Sequence, residues 1–255
     1  MSEEYFLPGL PVDLIRACYD AAPGDEIRSG KFASPESSSA LVANTFGYFL
    51  NRPSTLPILP KCQNMGWPAV SIALEKEVRF PWSGGRHPYL DVVIKTETSF
   101  VGVESKRYEP FRSHPKPQFA DAYWRPVWGN KMRMYEKIRD SLKSGSLQFN
   151  HLDAAQLVKH AFALRSSAHW KDPVLYYLFT ESLVWPDGRH IPPEALHAHR
   201  DEIASFANMV AGDEVVFLWC SYRDLLTSWM ESADESIRLH AKAVADRFSI
   251  SLNGS

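Results

Sequence analysis

Much that usually announces a function is missing from this chain. Its 255 residues include only three cysteines, Cys18, Cys62 and Cys220, widely separated and odd in number. That argues against a disulfide framework and a CxxC zinc knuckle, and fits a reducing cytoplasm. No apolar stretch approaches the roughly 20 residues needed to cross a bilayer. The opening Met1-Ser2-Glu3-Glu4 is acidic where a signal peptide has a basic head, so secretion is not expected. There is no GxxxxGK[ST], GxGxxG or GxSxG, which leaves nucleotide hydrolysis, dinucleotide redox chemistry and serine esterase chemistry without motif support. His197 and His199 stand two apart on a helical stretch and diverge, so a zinc site built from them with His190 is not expected. Net charge is only −2, which is not the balance of a globally basic nucleic-acid binder. Internal repeats and low-complexity tracts are also absent.

What is present is enough apolar material, 45% of residues, for one substantial core. The expectation is a single domain over 1–255, with 194–255 as a C-terminal extension. Charge is uneven: between Lys106 and Lys143 ten Lys or Arg stand against four acids, Glu109, Asp121, Glu136 and Asp140. Tyr108, Phe111, Tyr123, Trp124 and Trp128 are interleaved with them. This suits a surface that tracks phosphates, and equally a solvated helix face with core aromatics beneath it.

Periodicity and punctuation give an order of elements. Residues 11–21 read as a short helix. A second helix is expected from an N-cap at Ser34 with Pro35 in its first turn, running to Pro53. Alternation at 74–80 predicts a strand with Leu74, Lys76, Val78 and Phe80 on one face and Glu75, Glu77 and Arg79 on the other. Strands follow at 89–94 and 99–106. Pro110, Pro115 and Pro117 then break the chain into a loop placed to lie over the strand ends. Helices are expected at 130–144 and 154–166, the latter capped by Asp153, then a buried strand at 174–179. Helix 194–210, strand 214–219 and helices 222–230 and 233–248 complete the chain.

The most informative pattern is Glu104-Ser105-Lys106 at the end of the run Ser99–Val103, with Asp91 thirteen residues earlier at the head of Val92-Val93-Ile94. Alternation places Glu104 and Lys106 on one side and Ser105 on the other. Two carboxylates and a lysine would then share one spot. Charged groups at the end of a buried strand must be paired or bind an ion. Magnesium takes hard oxygen ligands, commonly one or two carboxylates plus substrate phosphate oxygens. Lys106 beside them would hold the attacking water or neutralise charge developing on a phosphate. An ordinary hairpin with Glu104 paired to Lys106 is the plainer reading; the ordered context favours the metal site.

Leu90-Asp91 followed by Val103-Glu104-Ser105-Lys106 resembles the PD-(D/E)XK nuclease superfamily, with Leu90 in place of the proline. More locally, Ser37–Leu41 with Asn44 and Phe46, Glu109-Pro110, and Gln156-Leu157 with Lys159-His160 resemble a group of bacterial restriction-endonuclease-like proteins. The resemblance implies an α/β fold with a restriction-endonuclease-like core: a helix, three strands, a helix and a strand, in a mixed sheet flanked by helices. It also implies a DNA endonuclease that uses Mg²⁺, with Mn²⁺ as a substitute, held by Asp91 and Glu104, and a restriction or defence role in a bacterial cytoplasm. Gln156 and Lys159 are the candidates for polar groups approaching the site from the helix after the motif. His160 reads as a structural histidine. Glu77 either leans toward the metal or pairs with Arg79. Glu36 is an accessory ligand or a dipole-stabilising acid. Cutting both strands needs two sites, which makes a homodimer an expectation. The alternatives are a non-catalytic nucleic-acid-binding module on the same fold, and a metal-dependent hydrolase of RNA or another phosphoester.

Overall fold

The computed structural model describes residues 5–113 and 117–252. Five strands form one mixed sheet in sequence order: β1 (Ser71–Glu77), β2 (Tyr89–Lys95), β3 (Ser99–Lys106), β4 (Asp172–Phe179) and β5 (Val216–Ser221). The first three pair antiparallel through short connections, whereas β3–β4 and β4–β5 are parallel. Parallel neighbours require long crossovers, and helices supply them. Helices α3 (Arg133–Ser144) and α4 (Ala154–Ser167) lie between β3 and β4, and α5 (Pro193–Val210) between β4 and β5. Before the sheet come α1 (Val12–Ala21) and α2 (Ser38–Phe46); after it come α6 (Tyr222–Met230) and α7 (Glu235–Phe248). The expected order of helix, three strands, helix and strand is therefore realised, in a mixed sheet flanked by helices on both faces. No helix among the described residues is long and apolar enough to cross a membrane.

Alternation along β3 and β4 divides two cores. Val101, Val103, Val174, Tyr176 and Leu178 pack with α1, α2, α6 and α7. Phe100, Leu175, Tyr177 and Phe179 pack with α3, α4 and α5. Gly102 lies on this second face, where a Cβ would meet the side-chain end of Leu90 and, at 2.7 Å, that of Leu164 on α4. Its bare backbone lets α4 lie close against β3.

Four expectations need correction. First, β1 begins and ends three residues before the predicted 74–80, and its side chains do not keep one face. Ile72 and Leu74 enter the first core while Val78 and Phe80 enter the second, and Lys76 is exposed. The cause is Glu75, which adopts a left-handed backbone with φ of 45°, a conformation that breaks the two-residue period. The neighbouring strand switches at the same level, with Leu90 in the second core and Val92 in the first.

Second, α2 starts at Ser38, not after Ser34. Ser37 Oγ accepts the Ala40 N–H at 3.0 Å, while Ser34 Oγ is used locally by the Glu36 N–H. The α-helix stops at Phe46 and continues as separate 3₁₀ turns, Gly47–Phe49 and Pro53–Thr55. Third, α3 starts at Arg133 because a remote residue caps it: Asp213 accepts the N–H groups of Met134 and Tyr135 at 2.8 and 2.9 Å.

Fourth, of the two readings of the basic, aromatic segment, a single phosphate-tracking surface does not hold, whereas core aromatics do. Trp128 is buried and stacked on Phe162 with centroids 4.2 Å apart. Tyr108 is buried, and Arg139 is a buried donor to Tyr123 O. Arg112 is taken up by Glu36. Pro115 and Lys116, like residues 1–4, lie outside the described residues.

Candidate active site

The antiparallel register of β2 and β3 brings the N-terminal end of one strand beside the C-terminal end of the other. Asp91 and Glu104 are thereby delivered to the same edge of the sheet. The Ser105 N–H donates to Asp91 Oδ2 at 2.6 Å. Alternation holds on β3 as expected: Lys106 Nζ donates to Glu104 Oε1 at 2.5 Å, while Ser105 Oγ turns the other way to Tyr222 OH at 2.8 Å. Glu104 is only 3% exposed, so its charge depends on partners of this kind.

A further partner comes from α4. His160 Nδ1 lies 3.1 Å from Glu104 Oε2 and has no further partner among the described residues. The sequence carried a usable signal for this residue. His160 follows Leu157 by three positions and precedes Leu164 by four, so it belongs to the stripe that faces β3.

Lys159, one position earlier, carries its ammonium over the Phe119 ring, 5.3 Å from the centroid. Burial holds its pKa below the ordinary lysine value. Gln156 lies one turn before His160 on the same side of α4, half-buried, and its backbone N–H is consumed by the Asp153 cap.

Glu77 does not join the carboxylates. It pairs with Arg79, Oε2 to Nη1 at 3.3 Å, beyond the break at Glu75. Glu75 is the acid that takes that place. Its register position lies between the Leu74–Val92 and Lys76–Leu90 pairs, opposite Asp91. No local signal marks this, because nothing in the sequence flags a left-handed glutamate within a strand. Glu36 precedes α2 and forms an ion pair with Arg112.

The three carboxylates respond differently to this setting. Burial, and then the charges of Glu104 and Glu75, raise the Asp91 pKa well above the usual range, with Lys106 and the Ser105 N–H opposing. Burial, Glu104 and Glu26 push Glu75 up to about 7. For Glu104 burial acts upward, but Lys106 and His160 overcome it and hold the group at about 2. Lys106, against its own burial, is held charged by Glu104, Asp91 and Glu109.

Glu109 also fixes the end of β3. It accepts the N–H groups of Arg107 and Tyr108 at 2.7 and 3.0 Å, and the Ser38 hydroxyl at 2.6 Å. The start of α2 is thus tied to the strand that carries the motif. Asn44, buried within α2, secures the N-terminal segment by accepting the Leu7 N–H at 2.7 Å and donating to Tyr5 O at 3.1 Å.

Among the described residues no three His, Cys, Asp or Glu side chains are gathered to hold a metal. Two carboxylates do fit a magnesium-type ion, which keeps waters and takes other ligands from a phosphate. Asp91 has the right chemistry, an anion disfavoured by burial and like charge that a cation would relieve. Chemically, the edge presents hard oxygen donors beside a fixed ammonium.

A family model described as Restriction Endonuclease associating with ARP matches residues 16–248 of the chain. No curated protein and no solved structure matches it.

Proposed function

Since this chain belongs to the Restriction Endonuclease associating with ARP family, we propose that it is a Mg²⁺-dependent endonuclease hydrolysing DNA phosphodiester bonds at the Asp91–Glu104–Lys106 edge. The observation that carries this reading is Asp91 and Glu104 set side by side on adjacent strands, with the half-buried Lys106 ammonium 2.5 Å from Glu104.

Asp91 and Glu104 are the residues that would hold the ion. The chemistry that Mg²⁺, or Mn²⁺ in its place, supplies is Lewis-acid polarisation of the phosphoryl group. Lys106 donates to Glu104 at rest and is positioned to donate to a water or a phosphate oxygen, holding charge as it builds. Preorganised donors of this kind contribute about 10²–10³ in rate. His160 confines Glu104 from the helix side. A role in restriction in the cytoplasm, and a dimer presenting two edges to the two strands of a duplex, follow from the same reading.

The test is calorimetric titration of Mg²⁺ or Mn²⁺ into the wild type and Asp91→Ala, alongside nicking of supercoiled plasmid by both proteins. Metal binding and nicking should appear in the wild type and vanish together in the variant. A wild type that neither binds metal nor nicks would overturn the proposal.

A further inference from the structure

Immediately after Lys106 the chain places a second cation on the opposite face of β3. Arg107 is buried, 6% exposed. Its guanidinium donates to Pro35 O and, at 3.2 Å, to Phe248 O, while its Nε has no hydrogen-bond partner among the described residues. A buried donor left unsatisfied is uncommon and calls for a partner.

The same side chain forms part of the wall of a cavity of about 520 Å³, which Arg247 also lines. Phe32, Tyr108, Trp185 and Phe248 supply aromatic surface, and none of the described residues lining it is acidic. Its volume lies in the range of small-molecule sites and far exceeds what an isolated phosphate or carboxylate would fill. Two arginines on a wall without an acidic lining residue favour an anion even with Glu109 and Glu36 near Arg107, and the aromatic lining favours a planar group attached to it.

We propose that this cavity is a nucleotide-binding site that takes a base together with its phosphate. Two sources share that chemistry: a nucleotide unstacked from a bound strand and a free mononucleotide. The first rests on the endonuclease reading. It is geometrically direct, since Arg107 and Lys106 are consecutive and the occupant would lie across the end of β3 from the reacting phosphodiester. Enzymes that take a nucleotide out of the stack hold it in pockets with aromatic and apolar walls.

The test uses the full chain in EDTA, so that no turnover is involved and its outcome is independent of whether the protein cuts. The four 5′-deoxynucleoside monophosphates are titrated calorimetrically into wild type, Trp185→Ala and Arg247→Ala. Trp185 is half-buried and Arg247 exposed, so both variants should fold, which thermal melting verifies. At least one monophosphate should bind the wild type, and each variant should weaken it by about tenfold or more.

A duplex carrying 2-aminopurine separates the sources. Brightening with wild type that both variants lose assigns the site to an unstacked nucleotide of the strand. Monophosphate binding without brightening assigns it to a free nucleotide. The proposal is overturned if no monophosphate binds at millimolar concentration and no brightening occurs, or if the variants bind as the wild type does.

Discussion

Strands β1 and β3 both carry a carboxylate to the same edge of the sheet, and they do so in opposite ways. Along β3 the side chains alternate without interruption, so Glu104 and Lys106 meet where their spacing says they should. Along β1 the left-handed turn of the backbone at Glu75 reverses the faces midway. Glu104 is supplied with counter-charge and held ionised at about 2, whereas Glu75 has burial and like charge against it and rises to about 7. A regular strand has delivered a satisfied charge and an irregular one a frustrated charge. The second arrangement, costly on its own, is typical of positions whose strain is retained for function.

The comparison breaks most visibly at Lys106. Lys106→Met removes the cation from the regular strand, and plasmid nicking should fall by about 10²–10³ with the far-UV spectrum unchanged; nicking at the wild-type rate would show that Lys106 takes no part.

Gly102→Ala attacks the regularity of β3 on the face that Glu104 and Lys106 share. The added Cβ meets the side-chain ends of Leu90 and Leu164, so Leu90, and Leu164 on α4, must give way. Overpacking of this kind costs about 1–3 kcal/mol, read as a lower melting temperature, and nicking should fall with it as His160 withdraws from Glu104.

The next prediction concerns pH. A carboxyl raised from 4.5 to about 7 on folding binds protons more tightly in the native state. Glu75 therefore makes stability fall as pH rises from about 4.5 to 7, and Asp91 acts in the same direction. Glu104, depressed to about 2, contributes stability that is present above its unfolded value near 4.5 and lost as pH falls toward 2. In metal-free protein Glu75→Gln should flatten the decline between pH 5 and 7 in urea titrations and leave the acid limb below pH 4 in place. An unchanged decline would remove Glu75 from this account.

The smallest effect is expected at Glu77→Gln, which sharpens the contrast between the two acids of β1. Its stability should lie within about 0.5 kcal/mol of wild type and its nicking rate should be unaltered, because its only ion-pair partner described is the exposed Arg79.

Legibility follows the same division. The bounds of β3 could be read to the residue, and those of α4 nearly so, because apolar period and capping residue agree there. Asp91, Glu104 and Lys106 could be brought together from alternation and one hairpin. Glu75 could not, since a positive φ at a non-glycine residue is imposed by the tertiary setting. The capping of α3 by Asp213 was equally hidden, being a contact across 78 and 79 residues. Lys159 and His160 are adjacent, and only the stripe formed by Leu157 and Leu164 distinguishes the one that faces β3. Arg107 and Trp128 look like members of a basic, aromatic surface in the sequence, and burial alone reassigns them.

The β2–β3 hairpin has a consequence for how the molecule comes to be. The Asp91–Ser105 contact spans 14 residues, whereas Ser105–Tyr222 spans 117. Loop closure costs grow with that span and slow the formation of distant contacts. The two carboxylates can therefore be set side by side early in folding, before β4, β5 and α6 have docked, and the nascent chain carries its pair of acids in a local unit that the remainder of the protein later encloses.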